Sequence, residues 1–395
     1  MIELGTREYR TVSLTMAFGS FLVFCNLYLF QPILPALSVE LSISATQVNW
    51  IFAATTFMLS MFLVPWALVS ESIGRKQVMM LGLFLPPAIN FLMLLNPGFT
   101  AMVIARAAMG VSLAAFASVA VAYMAEEMTP QALGQAVGGY IAANSLGGIT
   151  GRIAGGVLTD LFDWQTAVLI IGLFSLVGAS IVLRSLPQQK YFKPQKGLFF
   201  AHNRGLVMHV RDHQVWFSMI IGGINFALFV NLFSVIGFRL SEPPYSLPSS
   251  LTSLVFLCYL SGTVSSGLSG RWSLRFSPVV GMLFGNLILL AGMYLAWFES
   301  IPMMVLGLLL ISTGGFFTHA LAYSWVSQKA KTAKATATAL YLVHYYIGGS
   351  LGGFLLIYCW QTGNWPLVAF GGTLLSSCIF WLGYRLYNAP RANKN

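Results

Sequence analysis

The stretch WIFAATTFMLSMFLVPWALVSESIGRKQV (50–78) sets the terms for the rest of the chain. It runs without a charge until Glu71, and then Gly74, Arg75 and Lys76 follow at once. About 20 apolar residues in helical form cross the hydrocarbon of a bilayer. Backbone polar groups in lipid must find partners within their own segment, which a helix provides. The stretch therefore reads as a membrane helix over 48–70 that ends in a tight polar turn. Gly74 permits the bend, Glu71 accepts from backbone or from Arg75, and Arg75 with Lys76 anchors to headgroups.

Working outward, the same pattern recurs. Apolar runs bounded by charge or by Pro, Gly and Asn predict spans at 12–37, 48–70, 78–95, 99–125, 134–158, 165–186, 214–238, 251–270, 278–298, 302–325, 336–360 and 366–387. Charged residues are 8% of the chain and mean hydropathy is +0.76, against roughly 25% charged in soluble domains. A soluble protein of this length has too much surface to cover with so few charges. Barrel-type alternation is absent. The four cysteines lie inside apolar runs without metal spacing. The first run is too long for a signal peptide and is expected to remain as a helix.

Charge placement sets the expected orientation. With the N-terminus in the cytoplasm, 18 of the 21 Lys and Arg fall inside, as the positive-inside rule requires. The net charge of +10 then reflects topology and anionic lipid, not a nucleic-acid partner. The longest polar stretch, 187–213, links an N-terminal six-helix bundle (1–186) to a C-terminal one (214–395). The halves resemble each other. Tyr140, Gly147, Gly148, Gly151 and Trp164 match Tyr341, Gly348, Gly349, Gly352 and Trp365, and FLVFCNL (21–27) matches FALFVNL (226–232), pairing Asn26 with Asn231. The expected fold is all-α and membrane-embedded: twelve transmembrane helices in two pseudo-symmetric six-helix bundles, both termini cytoplasmic.

Several motifs carry chemistry. RAAMG (106–110) places Arg106 roughly 10 Å from the external end of its helix. A buried charge there costs at least ~2.5 kcal/mol and needs a partner or a wet cavity, so Arg106 either binds backbone carbonyls or serves substrate or a proton site. In the fifth span Gly147, Gly151 and Gly155 recur every four residues, a face for close helix approach. Tyr140, Asn144, Gly148 and Arg152 form a slanting stripe on the same helix. Arg152 lies roughly 12 Å deep. Two arginines with no acid inside the first five spans suggest an anion site; the alternative is that Arg152 reaches outward or pairs with Asp160. Asn26, Tyr28, Gln31, Asn225 and Asn231 either line a polar cavity or tie helices together. His319, Tyr341, His344 and Tyr345 gather in the second half, and the two histidines are either structural donors or proton carriers, with His344 having the better functional claim beside its tyrosines. GGITGRIAGG (147–156) is no dinucleotide fingerprint, and no nucleotide-binding P-loop is present.

The turn ALVSESIGRKQV (67–78) resembles the loop signature G-x-L-x-D-x-x-G-R-K of the major facilitator superfamily, with Ala67, Val69 and Glu71 as departures. RAAMG resembles that family's R-x-x-x-G signature. G-x-x-x-G-R-x-x-G-G (147–156) resembles the antiporter signature of its drug:proton exporters, where Pro usually stands at the Arg152 position. QPILPALSVEL (31–41), NSLGGITGR (144–152) and LYLVHYYIGGSLGG (340–353) extend the likeness over nearly the whole chain. The resemblance implies the twelve-helix fold, alternating access and proton-coupled export. It also implies a latch in which Glu71, Gly74, Arg75 and Lys76 meet an acid closing the fourth span, Glu126 or Glu127. The expected function is secondary export of small organic solutes, anionic or amphipathic, from a monomeric multi-pass protein of the bacterial inner membrane. Its partners are the solute and the bilayer, and no cofactor is expected beyond a coupling proton. An importer or facilitator of an anionic metabolite is the alternative. A non-transporting sensor or enzyme is the remote one, since no nucleophile cluster, metal cluster or soluble domain is visible.

Overall fold

The computed structural model describes residues 1–95, 98–192, 194, 208–330 and 334–388, with side chains from 336 in the last segment. Lys193, Lys196, His202, Arg204 and most of the expected 187–213 linker lie outside the described residues. Among those residues there is no strand, only an isolated parallel bridge between Ile2 and Met128. The helices are α1 Arg7–Tyr28, α2 Leu34–Glu40, α3 Ala45–Val48, α4 Trp50–Ile73, α5 Arg75–Met93, α6 Gly98–Ala117, α7 Ala120–Glu127, α8 Pro130–Leu161, α9 Trp164–Ser185, α10 His213–Ser241, α11 Ser249–Ser253, α12 Tyr259–Arg275, α13 Pro278–Leu295, α14 Ile301–Lys329 and α15 Lys334–Tyr387. Among the described residues, ten helical segments are long and apolar enough to cross a membrane.

Two local features differ from a plain reading of the apolar runs. The first expected span, 12–37, is not one helix. α1 stops at Tyr28, a 3-10 turn covers Gln31–Ile33, and α2 follows. Pro32 and Pro35 have no N–H to give to the preceding turn, which removes two helical hydrogen bonds and favours a break here. The 32-residue α8 lies outside the ten apolar segments, because its many glycines, Asn144 and Arg152 dilute its hydropathy. The 54-residue α15 breaks at Gly363 and Asn364, between the expected spans 336–360 and 366–387, and Asn364 takes φ 53°, a region Asn tolerates better than most residues. Pro366 then starts the final helical stretch.

The chain divides into two compact units, residues 1–199 with 237–256, and 200–236 with 257–395. Within the first unit, α1 lies directly on α8 through the glycine stripe. A Cβ on Gly151 would fall 2.6 Å from the Cys25 Cα, and one on Gly147 would fall 2.9 Å from the Phe21 Cα. Gly155 meets the Leu29 backbone in the same way. Only the missing side chain allows this approach. Gly348 and Gly352 do the same in the second unit, against Gly223 and Ala227 of α10.

Candidate functional site

In the first unit the two interior arginines have different work. Arg106 is fully buried on α6 and donates to three backbone carbonyls: Asn26 at 3.2 Å, Leu27 at 3.1 Å and Ile51 at 3.3 Å. Its guanidinium also lies 4.7 Å from the Phe30 ring centroid. Asn26 and Leu27 are in the last turn of α1, where the proline-broken chain leaves carbonyls without helical donors. Arg106 thus holds the break in α1. Its signature partner Gly110 lets α6 approach α4, since a Cβ there would lie 2.9 Å from the Leu59 nitrogen.

Arg152, 1% exposed, sits among side chains instead. Its Nε donates to Gln31 Oε1 at 2.7 Å, and its Nη1 donates to the Gly148 carbonyl one turn back at 2.9 Å. The guanidinium lies over two rings, Tyr28 at 3.6 Å from the centroid and Phe256 at 4.8 Å. Cation–π contact of this kind strengthens when water is excluded. Asp160 is engaged elsewhere, accepting from Ser250 Oγ at 2.6 Å. The stripe is completed by Asn144, whose Oδ1 accepts from Ser20 Oγ, and by buried Tyr140. Asn26 is a helix tie: its Nδ2 donates to Ser175 Oγ and the Leu22 carbonyl, both at 2.8 Å, while Asn90 donates to its Oδ1 at 2.9 Å.

The residues of the expected latch come together at the polar turn after α4. Gly74 adopts φ 110°, open to glycine and costly to other residues. Arg75 donates to Glu126 Oε1 from Nη2 at 2.8 Å and from Nε at 3.1 Å, and to Ser70 Oγ at 2.6 Å, with Glu71 at 4.0 Å. Lys76 Nζ donates to the Leu186 carbonyl at 2.5 Å. Glu127 does a separate job. Buried to 2% exposure, it accepts from the backbone N–H groups of Lys190 and Tyr191 at 2.9 and 3.0 Å. Its own carbonyl accepts from Ile2 N at 2.7 Å, and Thr129 N donates to the Ile2 carbonyl at 3.0 Å.

In the second unit, His319 Nδ1 and the Tyr341 hydroxyl share a 2.9 Å hydrogen bond. Tyr345 lies over His319 with centroids 4.3 Å apart and stacks on Phe226 at 3.9 Å. His344 Nδ1 donates to the Leu340 carbonyl at 2.8 Å, one turn back on its own helix. Asn231 ties α10 to α15 by donating to the Gly349 carbonyl at 2.8 Å. Sequence reasoning did not single out Phe256 and Phe226. Aromatics are ordinary in membrane helices, so only the repeat that aligns FALFVNL (226–232) with FLVFCNL (21–27) marked Phe226 at all.

Comparison with known proteins gives this geometry its family. The Major Facilitator Superfamily profile matches residues 16–353. The chain belongs to the Major Facilitator Superfamily. It is 34% identical over 395 residues to the inner membrane transport protein YnfM of Escherichia coli strain K12, covering 99% of this chain and 94% of that one. It is 30% identical over 384 residues to the uncharacterized MFS-type transporter YybF of Bacillus subtilis strain 168, covering 97% and 95%. Among solved structures, the human organic anion transporter MFSD10 (TETRAN) shares the fold, with a TM-score of 0.70 at 18% identity over 96% of this chain and 99% of that one. This major facilitator protein is accordingly a multi-pass membrane transporter and not an enzyme.

Proposed function

We propose that this transporter is a proton-coupled exporter of small organic solutes, anionic or amphipathic, working by alternating access in a bacterial inner membrane. The reading takes twelve transmembrane helices: the ten apolar segments, with 334–387 counted as two on either side of Gly363–Asn364, plus α8. Both termini and the 187–213 linker are then cytoplasmic, with 18 of the 21 Lys and Arg. The inner-membrane placement follows the E. coli relative.

One observation carries the substrate class. Arg152 brings a positive charge to membrane depth on a helix whose only acid is Asp160 at its end, and sets it against two aromatic rings beside an amide. A carboxylate with an apolar body fits both parts of that surface. For the coupling proton, the His319–Tyr341 pair beside Tyr345 is the stronger candidate, since His344 spends Nδ1 on its own helix. Export follows from the antiporter-like run at 147–156. One feature favours the second reading, an importer of an anionic metabolite: Arg152 replaces the proline of that signature, and α8 is unbroken from Pro130 to Leu161.

The test is a thermal-shift panel on purified protein, aromatic carboxylates against cationic amphiphiles. Carboxylates are expected to stabilise the wild type and leave Arg152→Gln unmoved. Stabilisation by the cations alone would overturn the anion assignment.

A further inference from the structure

The second unit carries a basic, aromatic-walled cavity at the end of α12 that the transport reading does not use. GLSGRWSLRFSP (267–278) occupies the place in the second half that ALVSESIGRKQV (67–78) holds in the first. Arg275 answers Arg75, but Arg271 stands where Glu71 would be, and α14 ends in Ser327, Gln328 and Lys329 where α7 ends in two glutamates. The latch of the first half therefore has no acidic counterpart here. From 243 to 395 the sequence holds one carboxylate, Glu299, against eight Lys and Arg. Arg271 and Arg275 are one helical turn apart on α12, a like-charge spacing that repels in the absence of an anion.

Beside them lies a cavity of about 560 Å³ lined by Arg271, Trp272, Arg275, Phe284, Thr313 and Phe317. Its aromatic wall is fixed. The Trp272 Nε1 donates to the Ser277 carbonyl at 3.1 Å, and the indole stacks on Phe284 with centroids 5.6 Å apart and planes 8° apart. Phe317 meets the same indole edge-on at 5.6 Å. Leu274, 85% exposed, and Phe276, 57% exposed, flank the arginines. Paired cations over an apolar, aromatic groove at the end of a membrane helix match a phosphodiester headgroup with a hydrocarbon tail.

We propose that Arg271 and Arg275 bind the headgroup of an anionic phospholipid whose acyl chain lies against Phe284 and Phe317. This rests on membrane embedding, which the family establishes, and on the cytoplasmic placement of this end argued above. It does not depend on the substrate or on transport. The test is native mass spectrometry of the purified full chain titrated with dioleoylphosphatidylglycerol, dioleoylphosphatidylcholine or inorganic phosphate. The phosphatidylglycerol adduct should dominate in the wild type. It should weaken by about thirty-fold, on the order expected for losing two surface cations, in the Arg271→Gln/Arg275→Gln double variant. Arg271→Lys/Arg275→Lys should keep it, which excludes misfolding as the cause of loss, and Arg7→Gln/Arg10→Gln should also keep it, which excludes bulk charge. Equal retention of phosphatidylcholine, undiminished binding in the glutamine variant, or saturation by inorganic phosphate would each overturn the proposal.

Discussion

Arg106 gives its guanidinium to the backbone of α1 and α4, whereas Arg152 gives its own to Gln31, Gly148 and two aromatic faces. The difference predicts opposite phenotypes. Arg106→Ala would strand three buried carbonyls, each worth about 1–3 kcal/mol, so the melting temperature in detergent should fall sharply. Arg152→Gln keeps a polar group beside Gln31 and should melt close to the wild type while losing its response to carboxylates. A sharp drop for Arg152→Gln and none for Arg106→Ala would reverse the assignment. The sequence shows both arginines at similar depth on glycine-bearing helices and does not separate them. What separates them is the break in α1 at Tyr28, and that depends on where the carbonyls left by Pro32 and Pro35 end up.

At the level of elements, the glycine stripe on α8 was legible because its four-residue period is itself the helical geometry. Gly151 touches the Cys25 backbone, whereas Gly138 on the same helix has nothing within 4 Å of a built Cβ. Gly151→Val should therefore abolish recovery of monodisperse protein from membranes, and Gly138→Ala should be recovered like the wild type. Equal recovery of both would remove close α1–α8 packing from the account. The division of labour between Glu126 and Glu127 was not legible, since adjacent residues on a helix point about 100° apart and the sequence does not say which faces Arg75. The structure gives Glu126 to the latch and Glu127 to the chain at 190–191. Glu127→Ala should make the segment after Pro187 cut several-fold faster in limited proteolysis, with Glu126→Gln close to wild type. Equal cleavage rates in both variants would contradict that assignment.

Across the whole molecule, the greasy runs located the helices to within a few residues, because hydrocarbon thickness and backbone satisfaction leave little choice. The exceptions were local: α1 breaks early at its prolines, and α8 is richer in glycine and polar groups than the other spans. The site was only partly visible. The charged and polar members were marked by their rarity, while Phe256 and Phe226 were hidden among many aromatics. The proposed orientation predicts that, in intact cells, a cysteine replacing Lys190 reacts with a membrane-impermeant maleimide only after permeabilisation, while one replacing Ser246 reacts at once. Proton-coupled anion export is measured most directly as uptake of a stabilising labelled carboxylate into everted membrane vesicles energised with an acidic interior. Gradient-dependent accumulation is expected, collapsed by a protonophore and lost in Arg152→Gln. Accumulation that ignores the gradient, or that persists undiminished in Arg152→Gln, would contradict it.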